Sequence, residues 1–322
     1  MYYIAHRLFA AHDRALAAHI ASQLAREAGT GSVFLPFCDT DEENLVSELK
    51  GRLLFELDCT RLRGISGMIA VLHGPSLDDG VCMEIGFAAA SRIPVVAVST
   101  DFQVYRAAPG AASFNFPDPL LDHVAAHVIR AHRLGVPGRD GTDRFRTFLG
   151  QNMKPIREAA RRAASAVLDF ARQPPEPRQP VPSHRSDLAY IEPSPYIDDP
   201  MWTAIADELD SRGWRIHVAR RLRPGPGQAD AVRADWAAAT TAGLAVVDAR
   251  GPETPPGAAV AIGARKAAGL PVLVAHPGTW QTLADGREPN WRNLMIQYAT
   301  TARFGDTAQF TAALESLPCL PA

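Results

Sequence analysis

The 322-residue sequence predicts an α/β fold built as two tandem, doubly wound parallel-sheet units. Three observations predict it. Short apolar runs alternate with stretches of helical period, a proline-rich segment divides the chain, and the second part repeats the first. Strands separated by helices in this rhythm form a parallel sheet with helices on both faces, the Rossmann-like arrangement.

The first strand is "YYIA", a short apolar and aromatic run. Helical periodicity follows in "HDRALAAHIASQLAREAG", where Gly29 supplies a C-cap signal. "SVFLPF" reads as a second strand. "SELKGRLLFELDCTRLRGIS" is helical despite Gly51 and Gly64, and "GMIAVLHG" is a buried strand ending in a Gly-Pro turn. A loop, the helix "VCMEIGFAAASR" and the strand "PVVAVST" come next. "GTDRFRTFLGQNMKPIREAARRAASAVLDFA" reads as a long, partly interrupted helix. After it, "RQPPEPRQPVPSHRS" holds five prolines and forms a stiff extended linker. The predicted boundaries are a first domain at 1–172, a linker at 173–186 and a second domain at 187–322.

The repeat is visible by eye. Residues 57–98 align without a gap on residues 234–275, at a constant offset of 177. Asp58 falls on Asp235, Gly80 on Gly257, Ile85-Gly86 on Ile262-Gly263 and Pro94 on Pro271. At an offset of 187, Tyr3 of "YIAHRLF" meets Tyr190 of "YIEPSPY". Asp78, however, faces Pro255, and Glu84 faces Ala261. A helix N-terminal carboxylate favoured by the macrodipole would serve either copy equally. An acid present in one copy alone therefore points to chemistry, and Asp235 reads as an inherited structural acid.

Composition narrows the classes. Hydrophobic residues make up 47% and charged residues 21%, which is normal for a globular protein. A net charge of −2 offers no general attraction to nucleic acid or to an anionic membrane. Cys38, Cys59, Cys82 and Cys319 lack a CxxC or zinc spacing, and the ten histidines show no ligand spacing, so no metal is expected. The N-terminus carries His6 and Arg7 inside its apolar run and does not read as a signal peptide. No apolar run reaches the roughly 18 residues of a membrane span. A cytoplasmic protein is the expectation. No GxxxxGK[ST], GxGxxG or HExxH pattern occurs. The basic run "RRLR" at 220–223 reads as a solvated loop.

Ligands on such sheets bind outside the carboxyl ends of the strands, the edge to which "YYIA" and "IAVLHG" deliver their following residues. There stand "YIAHRLF", Asp58, Asp78 and "DDGVCMEIGFA", with Glu84 six residues after Asp78. This spaced set resembles the nucleoside 2-deoxyribosyltransferases over the first copy, Tyr3 to about Asp101, and faintly over the second. The resemblance implies that Glu84 attacks C1′ of a 2′-deoxyribonucleoside and expels the base, leaving an ester that a second base intercepts. It implies that Tyr3 orients Glu84, that Asp58 assists departure of the base, and that Asp78 binds sugar hydroxyls. Phe9 fits either an aromatic wall for the base or a core position. No cofactor is implied; the partners are a nucleoside and a free nucleobase. Relatives that hydrolyse nucleoside 5′-monophosphates have serine where Asp78 stands, so an unphosphorylated nucleoside is favoured.

His6 and Arg7 depart from the small residues and proline usual in the family after its tyrosine. This departure leaves Arg7 either facing solvent or near a phosphate. Alternatives are an N-glycoside hydrolase of a nucleoside or nucleotide, and a nucleoside-binding protein without turnover. In the family a neighbouring subunit completes the site with an Asn-x-Met. Asn293 and Met295 of "PNWRNLMIQYA" match it, whereas the first copy has Asn115 in "FNFPDP". The chain thus resembles a fused pseudo-dimer with divided labour, and a homo-oligomer of such chains remains open.

Overall fold

The structure is a computed structural model that describes residues 1–40, 50–132, 143–173, 185–223, 227–278 and 289–317. Two parallel sheets form the scaffold among these residues. The first contains β1 (Tyr2–Ala5), β2 (Val33–Phe34), β3 (Gly67–Val71), β4 (Val95–Ser99) and β5 (His127–Arg130), in the order β2-β1-β3-β4-β5. Its helices are α1 (Ala11–Ala28), α2 (Lys50–Gly64), α3 (Asp79–Ala90), α4 (Pro119–Val124) and α5 (Arg144–Arg172). The second contains β6 (Arg185–Glu192), β7 (Arg215–Val218), β8 (Ala242–Asp248), β9 (Val272–Ala275) and β10 (Ala302–Phe304), in the order β10-β9-β8-β6-β7. Its helices are α6 (Met201–Ser211), α7 (Gln228–Thr241), α8 (Pro256–Ala268), α9 (Leu294–Ala299) and α10 (Thr307–Glu315). Counted from its own first strand, the second sheet has the strand order of the first.

Period-2 alternation sorts each strand's side chains between two cores. Ile4, Ile69, Val96 and Val98 face α1 and α5, packing with Ile20, Leu24, Ala160 and Val167. Ile191, Val246 and Leu273 pack in the same way with Ile205, Leu209 and Phe310 under α6 and α10. The opposite faces carry Tyr3, Met68, Ala70 and Val95 on one sheet and Tyr190, Ala245, Val247 and Val272 on the other. Together with α3 and α8 these join in one continuous core that spans both sheets.

The centre of that core is the α3–α8 pair. A Cβ on Gly86 would overlap the Val260 carbonyl, and one on Gly263 would overlap the Met83 carbonyl. The two glycines therefore let backbone meet backbone. At the helix starts, Thr254 Oγ1 donates to Asp79 at 2.9 Å, so the N-termini lie together and the helices run the same way. With neighbours on all sides, α3 is buried from Asp79 to Ala88. This explains an apolar run too long for one face of a surface helix.

Some elements differ from their sequence reading. β2 shrinks to Val33–Phe34, because Pro36 follows and has no N–H to give. Rather than breaking, α5 runs continuously through Gly150 and Pro155. Its first turns stand in solvent, and Ala159, Ala160, Ala163 and Val167 anchor its later turns. The short α4 and β5 went unread. Most of the proline-rich linker, residues 174–184, lies outside the described residues, as do Cys319 and residues 47–49 of the second predicted helix.

Candidate active site

Local chemistry starts α3 where it does. Asp78 is its N-cap, accepting from the Val81 N–H at 2.9 Å. Five residues into the helix comes Glu84, and Tyr3 stands in the middle of β1, paired to Phe34 and Met68. The Tyr3 hydroxyl donates to Glu84 Oε1 at 2.7 Å, and neither side chain is more than 8% exposed. Burial raises the Glu84 carboxyl well above its ordinary range, and the Asp58 carboxylate adds to the rise. The Tyr3 hydrogen bond works against it, and Asp78 raises it further. Tyr3 is itself raised by burial and by the Glu84 charge. Asp58, half-buried on α2, is thus within electrostatic reach of both Tyr3 and Glu84.

Asp78 and its neighbour Asp79 are pushed upward, mainly by burial. Their mutual repulsion contributes at Asp78, where the nearby Arg7 cation opposes the rise. Arg7 is not a free solvent arginine: Nη2 donates to the Ser76 carbonyl at 2.8 Å, in the loop that leads to Asp78. His6 is buried with Nδ1 3.2 Å from the Ile4 carbonyl, and burial depresses its basicity.

The second half reaches the same place. Asn293 caps α9, its Oδ1 accepting from the Met295 N–H at 2.9 Å. Its Nδ2 would lie 2.6 Å from a Cβ on Gly80, so glycine there makes room for the amide beside the start of α3. Tyr3, Asp58, Asp78, Glu84 and Asn293 are brought together. Met295 is a buried core residue, grouped with Tyr3, Cys82 and Met83. Phe9 is 73% exposed, which rules out its core reading.

The corresponding region of the second half is filled rather than empty. Arg221, expected in a solvated loop, is 1% exposed. Its Nε and Nη2 bind Asp118 Oδ1 and Oδ2, both at 2.7 Å, and Nη2 also meets Glu192 Oε1 at 2.7 Å. Tyr190 Oη and Asp235 Oδ2 each lie 3.4 Å from Nη1. Tyr190 and Asp235 are the counterparts of Tyr3 and Asp58. Asp118 caps α4 as Asn293 caps α9, so Asp118, not Asn115, is the positional counterpart of Asn293. Asn115 instead binds Asp122 through its Nδ2 at 2.6 Å. A Cβ on Gly257 would overlap Arg221 Nη2, as one on Gly80 would press on Asn293. Asp235 is fully buried and accepts from His217 and from the Arg220 and Arg221 N–H groups, a structural acid. The sequence signal for this cluster was the cap position, Asp118 before Pro119 and Asn293 before Leu294.

Among the described residues no group of histidine, cysteine and acidic side chains is arranged to hold a metal ion. No described helix is long and apolar enough to cross a membrane.

The family described as nucleoside 2-deoxyribosyltransferase matches residues 2–163. No curated protein matches the chain. Among solved structures, one described as a conserved protein from Enterococcus faecalis V583 is 30% identical, with a TM-score of 0.28. The match covers 31% of this chain and 64% of that one.

Proposed function

The chain belongs to the nucleoside 2-deoxyribosyltransferase family, and we propose that it exchanges the base of a 2′-deoxyribonucleoside through an ester on Glu84. The observation that carries this reading is the buried Tyr3–Glu84 hydrogen bond at the strand edge, with Asp58 and Asp78 in electrostatic reach. Tyr3 occupies Oε1, which leaves Oε2 to attack C1′. As the C1′–Oε2 bond forms, the C1′–N bond breaks and its electron pair leaves with the base. Asp58 assists departure of the base by supplying or holding the proton that it takes. A second base then attacks C1′ through a ring nitrogen, its proton passes to Asp58, and Glu84 leaves as carboxylate. Both steps carry oxocarbenium character, which a carboxylate held away from water stabilises strongly.

The flanking groups take the remaining roles. Asp78 and Asn293 hold sugar hydroxyls, and Phe9 closes on the base. A 5′-phosphate beside Asp78 would meet like charge, so the substrate is an unphosphorylated nucleoside. The two halves, with equal strand order and a common sequence offset, are copies of one ancestral unit.

Incubation with a 2′-deoxynucleoside and a different free base is expected to yield the exchanged nucleoside, read by chromatography. Release of free base and free sugar alone would replace this reading with hydrolysis. Glu84→Ala should reduce turnover by several orders of magnitude, since the reacting group is lost. Quenched wild-type protein should carry a deoxyribosyl adduct by mass spectrometry, and the variant none.

A further inference from the structure

The second half keeps a cavity of about 560 Å3 at the carboxyl edge of its sheet, between the loop after β6 and the segment after β7. At its inner end lie Glu192 and Arg221, both buried, with Trp202, Ile197 and Leu222 among its walls. The guanidinium of Arg221 lies among Tyr190, Asp235, Asp118 and Gly257. Their counterparts in the first half, Tyr3, Asp58, Asn293 and Gly80, surround Glu84 and the sugar position. Arg221 therefore stands where a sugar would lie, and Ala261 in place of Glu84 leaves no nucleophile.

The outer part is not filled. At the offset of 187 that matches Tyr3 with Tyr190, Phe9 matches Tyr196. Tyr196 is 70% exposed on the loop after β6, as Phe9 is 73% exposed on the loop after β1. An exposed aromatic is thus retained between Pro195 and Ile197, both of which line the mixed polar and apolar cavity, while the sugar position is blocked. Trp202 is held in place by its indole N–H, which donates to Asp248 at 3.2 Å.

We propose that this second pocket binds a free nucleobase, a planar heteroaromatic without its sugar, and that Arg221 is the group that excludes the nucleoside. The ligand class rests on the base-exchange reading, in which a free base is one of the two reactants. Trp202, Ile197 and Leu222 supply aromatic and apolar surface, and the Ser194 and Thr203 side chains supply polar edges. No bond is made or broken there.

Calorimetric titration of the full chain with adenine, hypoxanthine, cytosine and thymine tests the proposal. At least one base should bind with two equivalents per chain, whereas a 2′-deoxynucleoside should bind the Glu84→Ala chain with one. Thr203→Trp, an exposed α6 position on the cavity rim, should abolish the second base equivalent and leave base exchange unchanged. Ala206→Phe fills the same space from the next turn of the helix and should do likewise. One equivalent or none for every base would overturn the proposal. So would a second equivalent that survives both substitutions, or two equivalents of nucleoside. Failure of the exchange assay would refute the catalytic reading separately, because the second equivalent is read by difference between wild type and Thr203→Trp.

Discussion

Burial and one hydrogen bond act in opposite directions on the proposed nucleophile. Glu84 is raised chiefly by burial and by Asp58, while the Tyr3 hydroxyl favours its carboxylate form. The nucleophilic form is therefore gained as pH rises through a folded pKa above that of free glutamate. The same shift favours the fold below the pKa of an unfolded glutamate, a contribution lost as pH rises through the folded value. The acid limb of kcat/KM should accordingly lie above the ordinary carboxylate range. Tyr3→Phe removes the opposing hydrogen bond, so the limb should move to still higher pH while kcat falls. Asp78→Asn removes a repelling charge, and the limb should move lower. Profiles of kcat/KM against pH check both directions; a limb moving downward in Tyr3→Phe would contradict the geometry. The set Tyr3, Asp58, Asp78 and Glu84 was legible because these residue types at these spacings are specific together, though each alone is weak. Arg221 was not legible as a buried residue. Its bidentate partner Asp118 lies 103 positions away, so what covers it depends on how the halves meet.

At the scale of elements, α3 and α8 combine placement of the proposed nucleophile with assembly. One helix carries Glu84 and Asp78, and the other closes the core against it with glycine at each backbone contact. Gly86→Val would drive a branched side chain into the Val260 carbonyl, which cannot swing aside as a flexible side chain would. Overpacking of this kind costs about 1–3 kcal/mol or more. Urea unfolding of the variant should show a loss in that range. Gly150→Ala is the natural control. It lies in exposed α5 with nothing within 4 Å of the added carbon, so a gain of about 0.5–1 kcal/mol is expected. The paired Ile-Gly positions were visible in the sequence as a repeat, yet their purpose was not, since helix–helix approach leaves no periodic trace. The same limit explains α5. Pro155 suggested a break, but packing of its later turns on β3, β4 and α1 holds the helix through it. The strands were readable where they were buried on both faces, and β5, which has one exposed edge, was missed.

For the molecule as a whole, the proposed site draws on both halves, and the corresponding position of the second half is occupied by a salt cluster. The shared core means that neither sheet buries its inner face alone. Asn293 connects this architecture to the proposed site. Its amide lies against Gly80 at the start of the helix that carries Glu84, while its Oδ1 caps α9. Asn293→Ala removes both roles, so lost activity alone would be ambiguous. Asn293→Ser separates them, because serine still caps the helix but withdraws the amide donor. Asn293→Ser should keep near-normal stability and weaken nucleoside binding by about 1–3 kcal/mol, the range for one buried hydrogen-bonding group. Asn115→Ala touches Asp122 and no member of the proposed site, so its KM should match wild type. The pair of variants, measured for KM and for unfolding midpoint, tests whether the second half completes the first. A raised KM in Asn115→Ala with an unchanged Asn293→Ser would mean that a first half from another chain supplies the missing group.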